Sequence, residues 1–378
     1  MGIGRFAFTP MLPLMQRDGG LDIAGGAWLA AANYGGYFAG ALGAVYLRVP
    51  PQHLIRGSLL PIALATAAMG LTAHLVPWLA WRFVAGVLSA WVLVGTSTWC
   101  LGQLAQAGKP ALAGVVYAGV GAGIALAGLL CLALGKTAAS RLWIELGGIA
   151  AVLTLVVWFL MLRSGAGQTA VSAQQQVAAT ETGARQRGLI VCYGTLGFGY
   201  ILPATFIPAL GRMVVDDPAL FGWAWPIFGA TAALSTVLAG FWFSKMPRML
   251  LLSRCYFVMA AGAGLPAVHS SLPALIVSAV CVGSTFMIIT MGGLQEARAR
   301  AGANPARLMG QMTAAFAIGQ IAGPVFTALL SHAPAIDDMK SLRAGLIAAA
   351  ISLATAGLWL RRAAPIPTSP ATAPGEQS

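Results

Sequence analysis

Two arginines stand where an arginine is costly. Arg5 lies in "MGIGRFAFTPMLPLM" and Arg82 in "PWLAWRFVAGVLSA", each within an otherwise apolar stretch. A guanidinium held away from water offers five N–H donors in a rigid plane, the chemistry that grips a carboxylate, a phosphate or a cluster of helix-end carbonyls. No nucleophile with a base beside it, no paired acids and no metal-ligand spacing accompanies them, so the sequence points to neither an enzyme nor a metal or cofactor site. The remaining polar groups within apolar runs are few: Tyr117, Tyr200, Gln311 and Gln320 are the candidates, and Glu145 is read as the only carboxylate near a span interior.

The elements that position these side chains follow from composition. Of 378 residues, 58% are hydrophobic and 8% charged, against about 25% charged in a soluble domain; mean hydropathy is +0.80. Apolar runs long enough for a hydrocarbon layer of roughly 30 Å recur along the chain. They lack the period-two alternation of a transmembrane barrel. The expected class is an all-α polytopic membrane protein. Net charge is +12, but the basic residues fall singly or in pairs between spans, without the stripe that nucleic acid requires. Cys100, Cys131, Cys192, Cys255 and Cys281 all lie in apolar runs and read as small core residues.

Polar, proline and charged punctuation places spans near 1–16, 24–47, 57–75, 78–104, 111–135, 143–162, 188–209, 222–243, 250–268, 273–294, 308–331 and 342–360. Six spans (1–162) precede a Gln/Ala/Thr-rich linker (163–187), six follow it (188–362), and a Pro-rich tail (363–378) ends the chain. With both termini cytoplasmic, fourteen Lys/Arg fall on inner loops, among them Arg298 and Arg300, and six on outer ones. That bias satisfies the positive-inside rule.

Sliding the chain by 195 residues matches Gly2 with Gly197, Arg17 with Arg212, Asp22 with Asp217, Trp28 with Trp223, His74 with His269, Pro110 with Pro305 and Gly128 with Gly323. Matches in rare Trp, His and Asp indicate an internal duplication. In the second half "LIVCYGTL" precedes the counterpart of Gly2, whereas Met1 alone precedes Gly2. Residues 1–16 would extend about 24 Å, so the first helix is expected to be truncated, a short, locally thinned span being the alternative.

The stretches "GIGRFAFTPMLPLM", "GVVYAGVGAGIALAGLL" and "STFMIITMGGLQEARARAGANPARLMGQMTAAFAIGQIAGP" resemble the YbfB/YjiJ-like branch of the major facilitator superfamily. The resemblance runs from Met1 to about Arg362. It implies a twelve-helix carrier of the bacterial inner membrane, built as two six-helix pseudo-repeats, that works by alternating access. The loop "LRVPPQHLIRG" keeps only the basic flavour of the superfamily's Gly-and-Asp gating motif.

Arg5 stands eleven residues before Gln16, about 16 Å from the outer helix end. A lipid-facing charge at that depth costs at least ~2.5–3.5 kcal/mol, so Arg5 is expected to face the cavity between the halves. It either awaits an anion or is tied to backbone carbonyls of a neighbour. Its repeat partner Tyr200 is expected across the pseudo-twofold axis. Arg82, shallower, is similar to the fourth-helix arginine of the superfamily that is linked to proton coupling; snorkelling to the outer surface is the competing reading. Gly119, Gly121, Gly123 and Gly128, with Gly323 in the second half, read as a close-packing and rocking surface rather than a nucleotide loop. Asp22 reads as an outer-loop residue or helix cap, His74 as a surface residue, and Trp28 and Trp223 as an interfacial belt.

The expected activity is transport of a small anionic or zwitterionic solute by a monomer embedded in the lipid bilayer. Coupling is open between protons, exchange and facilitated flow, since no acid is central. Export of hydrophobic drug-like compounds and a non-transporting sensor of the same fold are the rivals.

Overall fold

A computed structural model describes residues 1–18, 21–47, 49–163, 183–214, 222–269, 271–302, 304–331 and 338–364, with the side chains of residues 23, 206–214 and 338 left aside. Within these residues lie thirteen α-helices: α1 (Gly2–Phe6), α2 (Phe8–Arg17), α3 (Ile23–Tyr46), α4 (Pro51–Ala68), α5 (Leu75–Gln106), α6 (Ala113–Ala133), α7 (Ala139–Arg163), α8 (Gly183–Val214), α9 (Ala224–Trp242), α10 (Arg248–Val268), α11 (Leu272–Arg300), α12 (Pro305–Ser331) and α13 (Asp338–Ala363).

Nine of the described helices are long and apolar enough to cross a membrane, from Leu75–Gln106 onward. The first three expected spans fall short for separate reasons. Residues 2–17 form two pieces, α3 is diluted by glycines, Asn33 and tyrosines, and α4 carries His53 and Arg56. All three nonetheless pack within the same bundle. Large apolar side chains cover its outside, as with Val76 at 75% and Trp242 at 73% exposure, a surface suited to lipid and not to water.

Elementary rules set the helix ends. Asp22 caps α3 by accepting the Gly25 N–H at 2.7 Å. Two residues past the ends of α5 and α11 stand Gly108 and Gly302, both with positive φ. After Gly108 the Lys109 N–H turns back to the Leu104 carbonyl at 2.9 Å, closing the helix as such a glycine allows. Pro110 and Pro305 then start the next helices. The linker is shorter than expected, because Gly183–Arg187 already belong to α8; its residues 164–182, and 365–378 of the tail, lie outside the described residues, as do Asp217 and the Arg212 side chain. Arg298 and Arg300, expected in a loop, are the last turn of α11.

Packing follows one order twice. In residues 1–163, α3 packs on α5, α4 on α5 and α7, and α1 on α6; in residues 183–363, α9 packs on α11, α10 on α11 and α13, and α8 on α12. Across the two groups, α6 packs on α9 and α3 on α12.

Candidate functional site

Pro10 shapes the start of the chain. It has no N–H to give the Phe6 carbonyl and its ring crowds that oxygen; the helix is interrupted at Ala7, between α1 and α2. Here Arg82, from α5, donates from both terminal nitrogens to the Arg5 carbonyl at 3.4 Å, a long contact, and lies 4.6 Å over the Phe8 ring. Arg82 is 3% exposed, so it does not snorkel. Its Nε is buried with no hydrogen-bond partner among the described residues. Asn33 donates to the Arg82 carbonyl at 2.9 Å and so ties α3 to α5. These two helices touch backbone to backbone, since a Cβ on Gly36 would strike the Phe83 carbonyl and one on Gly86 the Asn33 carbonyl.

That close approach sets Tyr37 of α3 beneath Arg5, whose guanidinium carbon is 3.4 Å from the ring centroid. Arg5 itself is 4% exposed and donates to the side-chain oxygen of Gln320, on α12, at 2.5 Å. Ring stacking of a desolvated cation contributes about 2 kcal/mol. Among the described residues no carboxylate lies within ion-pair distance of Arg5 or Arg82. Two buried positive charges therefore rest on rings, a neutral amide and a carbonyl.

Arg5 opens onto a cavity of about 20 Å³ lined also by Phe6 and Tyr37 from the first six-span stretch and by Tyr193, Phe286, Thr290 and Phe316 from the second. The space holds about one water. Around it runs an aromatic cluster: Phe6 meets Phe286 edge-on at 6.1 Å, Tyr37 meets Phe316 edge-on at 6.3 Å, and Tyr200 stacks on Phe286 at 4.3 Å. The first two contacts join residues 1–163 to residues 183–363.

The expected site residues separate. Arg5 and Gln320 join, and Arg82 stands one contact behind them. Tyr200 reaches the cavity wall through Phe286 and Phe316, and Phe316 also lies 5.9 Å from the Arg5 guanidinium. Tyr117 is bound instead to Ser97 on α5, at 2.6 Å between hydroxyls. Gln311 is half-buried and lies nine residues before Gln320, two and a half turns and so the opposite side of α12. Tyr37, Phe286 and Phe316 escaped sequence reasoning, because an aromatic in an apolar helix carries no sign of which way it faces.

The glycines also divide. A Cβ on Gly121 would collide with Ala233 N and Gly229 O on α9, one on Gly128 with Pro226, one on Gly123 with Gly2, and one on Gly323 with Ile201 on α8. Gly114, not singled out from the sequence, meets the Thr236 carbonyl in the same way and joins the α6–α9 seam. Gly119 corrects the expectation: it is exposed, and a Cβ there meets nothing within 4 Å.

A second polar cluster corrects the reading of Glu145 as the only interior carboxylate. Glu296, 7% exposed near the end of α11, pairs with Arg248 at 3.0 Å and Arg300 at 2.6 Å; Glu145 pairs with Arg141 nearer the surface. Beside this cluster Arg298 donates to the Thr98 carbonyl of α5 at 3.2 Å, with its guanidinium against Gly102. At the other end of the bundle Asp18 accepts the Ala139 N–H at 2.6 Å and Arg17 donates to the Gly135 and Thr137 carbonyls. The Ala139 N–H, and then Arg17, hold the Asp18 carboxyl below the usual carboxylate range. His74 and His269 are exposed, as are Trp28 and Trp223.

Residues 1–360 match the family model described as uncharacterised MFS-type transporter YbfB. No curated protein sequence matches the chain. In fold it is similar to the crystal structure of the human organic anion transporter MFSD10 (TETRAN), with TM-score 0.67 at 14% identity over 95% of this chain and 96% of that one. It is similar also to the transporter FucP in the outward conformation, with TM-score 0.65 at 13% identity over 96% of this chain and 97% of that one. A structure of the E. coli fucose:proton symporter FucP aligns with TM-score 0.63 at 13% identity over 96% and 95%.

Proposed function

The chain belongs to the YbfB family of major facilitator transporters, and from that premise we propose that it carries a small organic anion or zwitterion by alternating access around Arg5. The observation that carries this reading is the buried Arg5 guanidinium at the cavity between the halves, matched by a neutral glutamine and by no carboxylate among the described residues. Fold neighbours include an organic anion transporter and a fucose:proton symporter; fold alone does not choose between such substrates. The choice rests on the charge.

In this reading residues 1–162 and 188–362 are two six-helix lobes in a bacterial inner membrane, with both termini cytoplasmic, and the carrier is a monomer. The twofold recurrence of helix packing, and the seams α6–α9 and α3–α12 between the groups, support it. Rocking about those seams would open the cavity to one side and then the other. Arg82 holds the Arg5 backbone rather than the solute. Proton coupling is retained only as one of three driving arrangements, since the cavity lining contains no acid among the described residues. The aromatic lining favours a second reading, export of uncharged hydrophobic compounds.

Uptake of labelled anions and neutral solutes into proteoliposomes, with and without a pH gradient, tests the proposal. Anion uptake abolished in Arg5→Gln is expected. Uptake of neutral compounds indifferent to Arg5→Gln would favour the exporter reading instead.

A further inference from the structure

The contacts that close the cavity describe what should open it. Between the halves, Gln320 offers one amide oxygen to Arg5, and two rings are met edge-on, Phe286 by Phe6 and Phe316 by Tyr37. When the halves part, the guanidinium loses an oxygen acceptor, and Phe286 and Phe316 lose aromatic partners. A single solute replaces all three if it joins a carboxylate to a flat ring. Such replacement matters when the site closes over the solute, because a guanidinium buried without an acceptor is expensive and aromatic edges and faces prefer one another.

Two further features narrow the class. Among the described residues the cavity lining holds no Asp or Glu, so an ammonium group on the solute would find no acid. Arg5 is the one guanidinium in that lining among the described residues, and Arg82 lies outside it against the Arg5 carbonyl and Phe8, so a second carboxylate would find no guanidinium partner in the lining. We infer that the carrier's substrate class is the aromatic monocarboxylates, bound with the carboxylate on Arg5 in place of Gln320 and the ring among Phe286, Phe316 and Tyr37. This inference rests on the proposed anion site at Arg5 and sharpens it.

The test is equilibrium binding by the purified full chain in lipid nanodiscs, using benzoate, phenylacetate, cyclohexanecarboxylate, benzamide, phenylalanine and phthalate. Benzoate or phenylacetate should bind at least tenfold tighter than benzamide, phenylalanine and phthalate, and severalfold tighter than cyclohexanecarboxylate. Phe316→Leu should lower the affinity for benzoate more than that for cyclohexanecarboxylate. Equal or better binding of cyclohexanecarboxylate, phenylalanine or phthalate, lost in Arg5→Gln, would overturn the aromatic monoanion and leave the anion site standing. Benzoate binding indifferent to Arg5→Gln, or no binding by any anion of the panel, would overturn both. The panel on the unaltered chain decides the class even where a variant fails to fold.

Discussion

The Arg5 guanidinium and the Gln320 amide oxygen, 315 residues apart in the chain, meet at 2.5 Å between α1 and α12. The contact satisfies a charge with a dipole, which leaves room for a better partner. Supplying that partner within the protein should silence the site. Gln320→Glu is expected to form a buried ion pair with Arg5, raise thermal stability and cut anion binding by at least tenfold, the equivalent of about 1.4 kcal/mol. Binding at the level of the unaltered chain in a folded Gln320→Glu protein would contradict this.

The α6–α9 seam predicts a contrast between two glycines two residues apart, on opposite sides of α6. Gly121→Val forces a side chain into the Ala233 N–H and Gly229 carbonyl and should destabilise by about 1–3 kcal/mol, as overpacking does. A Cβ at Gly119 meets nothing within 4 Å, so Gly119→Val should leave melting temperature and transport unchanged. Equal effects of the two substitutions would remove the seam from the account.

Much of this arrangement was open to sequence reasoning, and the remainder fails for physical reasons. The cost of a mid-span charge placed Arg5 inside, and the paired Pro110 and Pro305 marked equivalent turns that the structure closes with Gly108 and Gly302. By contrast, the break at Ala7 was missed, residues 1–16 being read as one span, although Pro10 has no N–H to give the Phe6 carbonyl. Gly119 and Gly121 differ only in direction around α6, which a glycine-rich run does not reveal. Gln311 and Gln320 are alike in type and opposite in facing. Glu296 looked like part of a charged inner loop because its partner Arg248 lies 48 residues earlier.

At the ends of α5 and α11, Arg298 bridges the two helices through the Thr98 carbonyl. A charged hydrogen bond partly open to solvent contributes about 1 kcal/mol. Arg298→Ala should therefore speed amide hydrogen exchange in residues 95–106 by about fivefold at unchanged exchange in α7. Unaltered exchange in residues 95–106 would show that the bridge does not hold that end closed.

Asp18 ties the end of α2 to the start of α7. Its carboxyl is held below its ordinary pKa, so its contribution to stability is present above the usual carboxylate range and disappears as pH falls through the lowered value. Asp18→Asn should lower the melting temperature at neutral pH, and by less at about pH 3, below the usual value near 3.9. A difference of the same size at both pH values would assign the loss to packing rather than to charge.

The most direct examination of the central claim is a density map of the full chain saturated with 4-bromobenzoate, in which the bromine marks the solute. The account requires the carboxylate within hydrogen-bond distance of Arg5, with the Gln320 side chain turned away. Bromine density elsewhere, with Gln320 still on Arg5 at saturation, would contradict it.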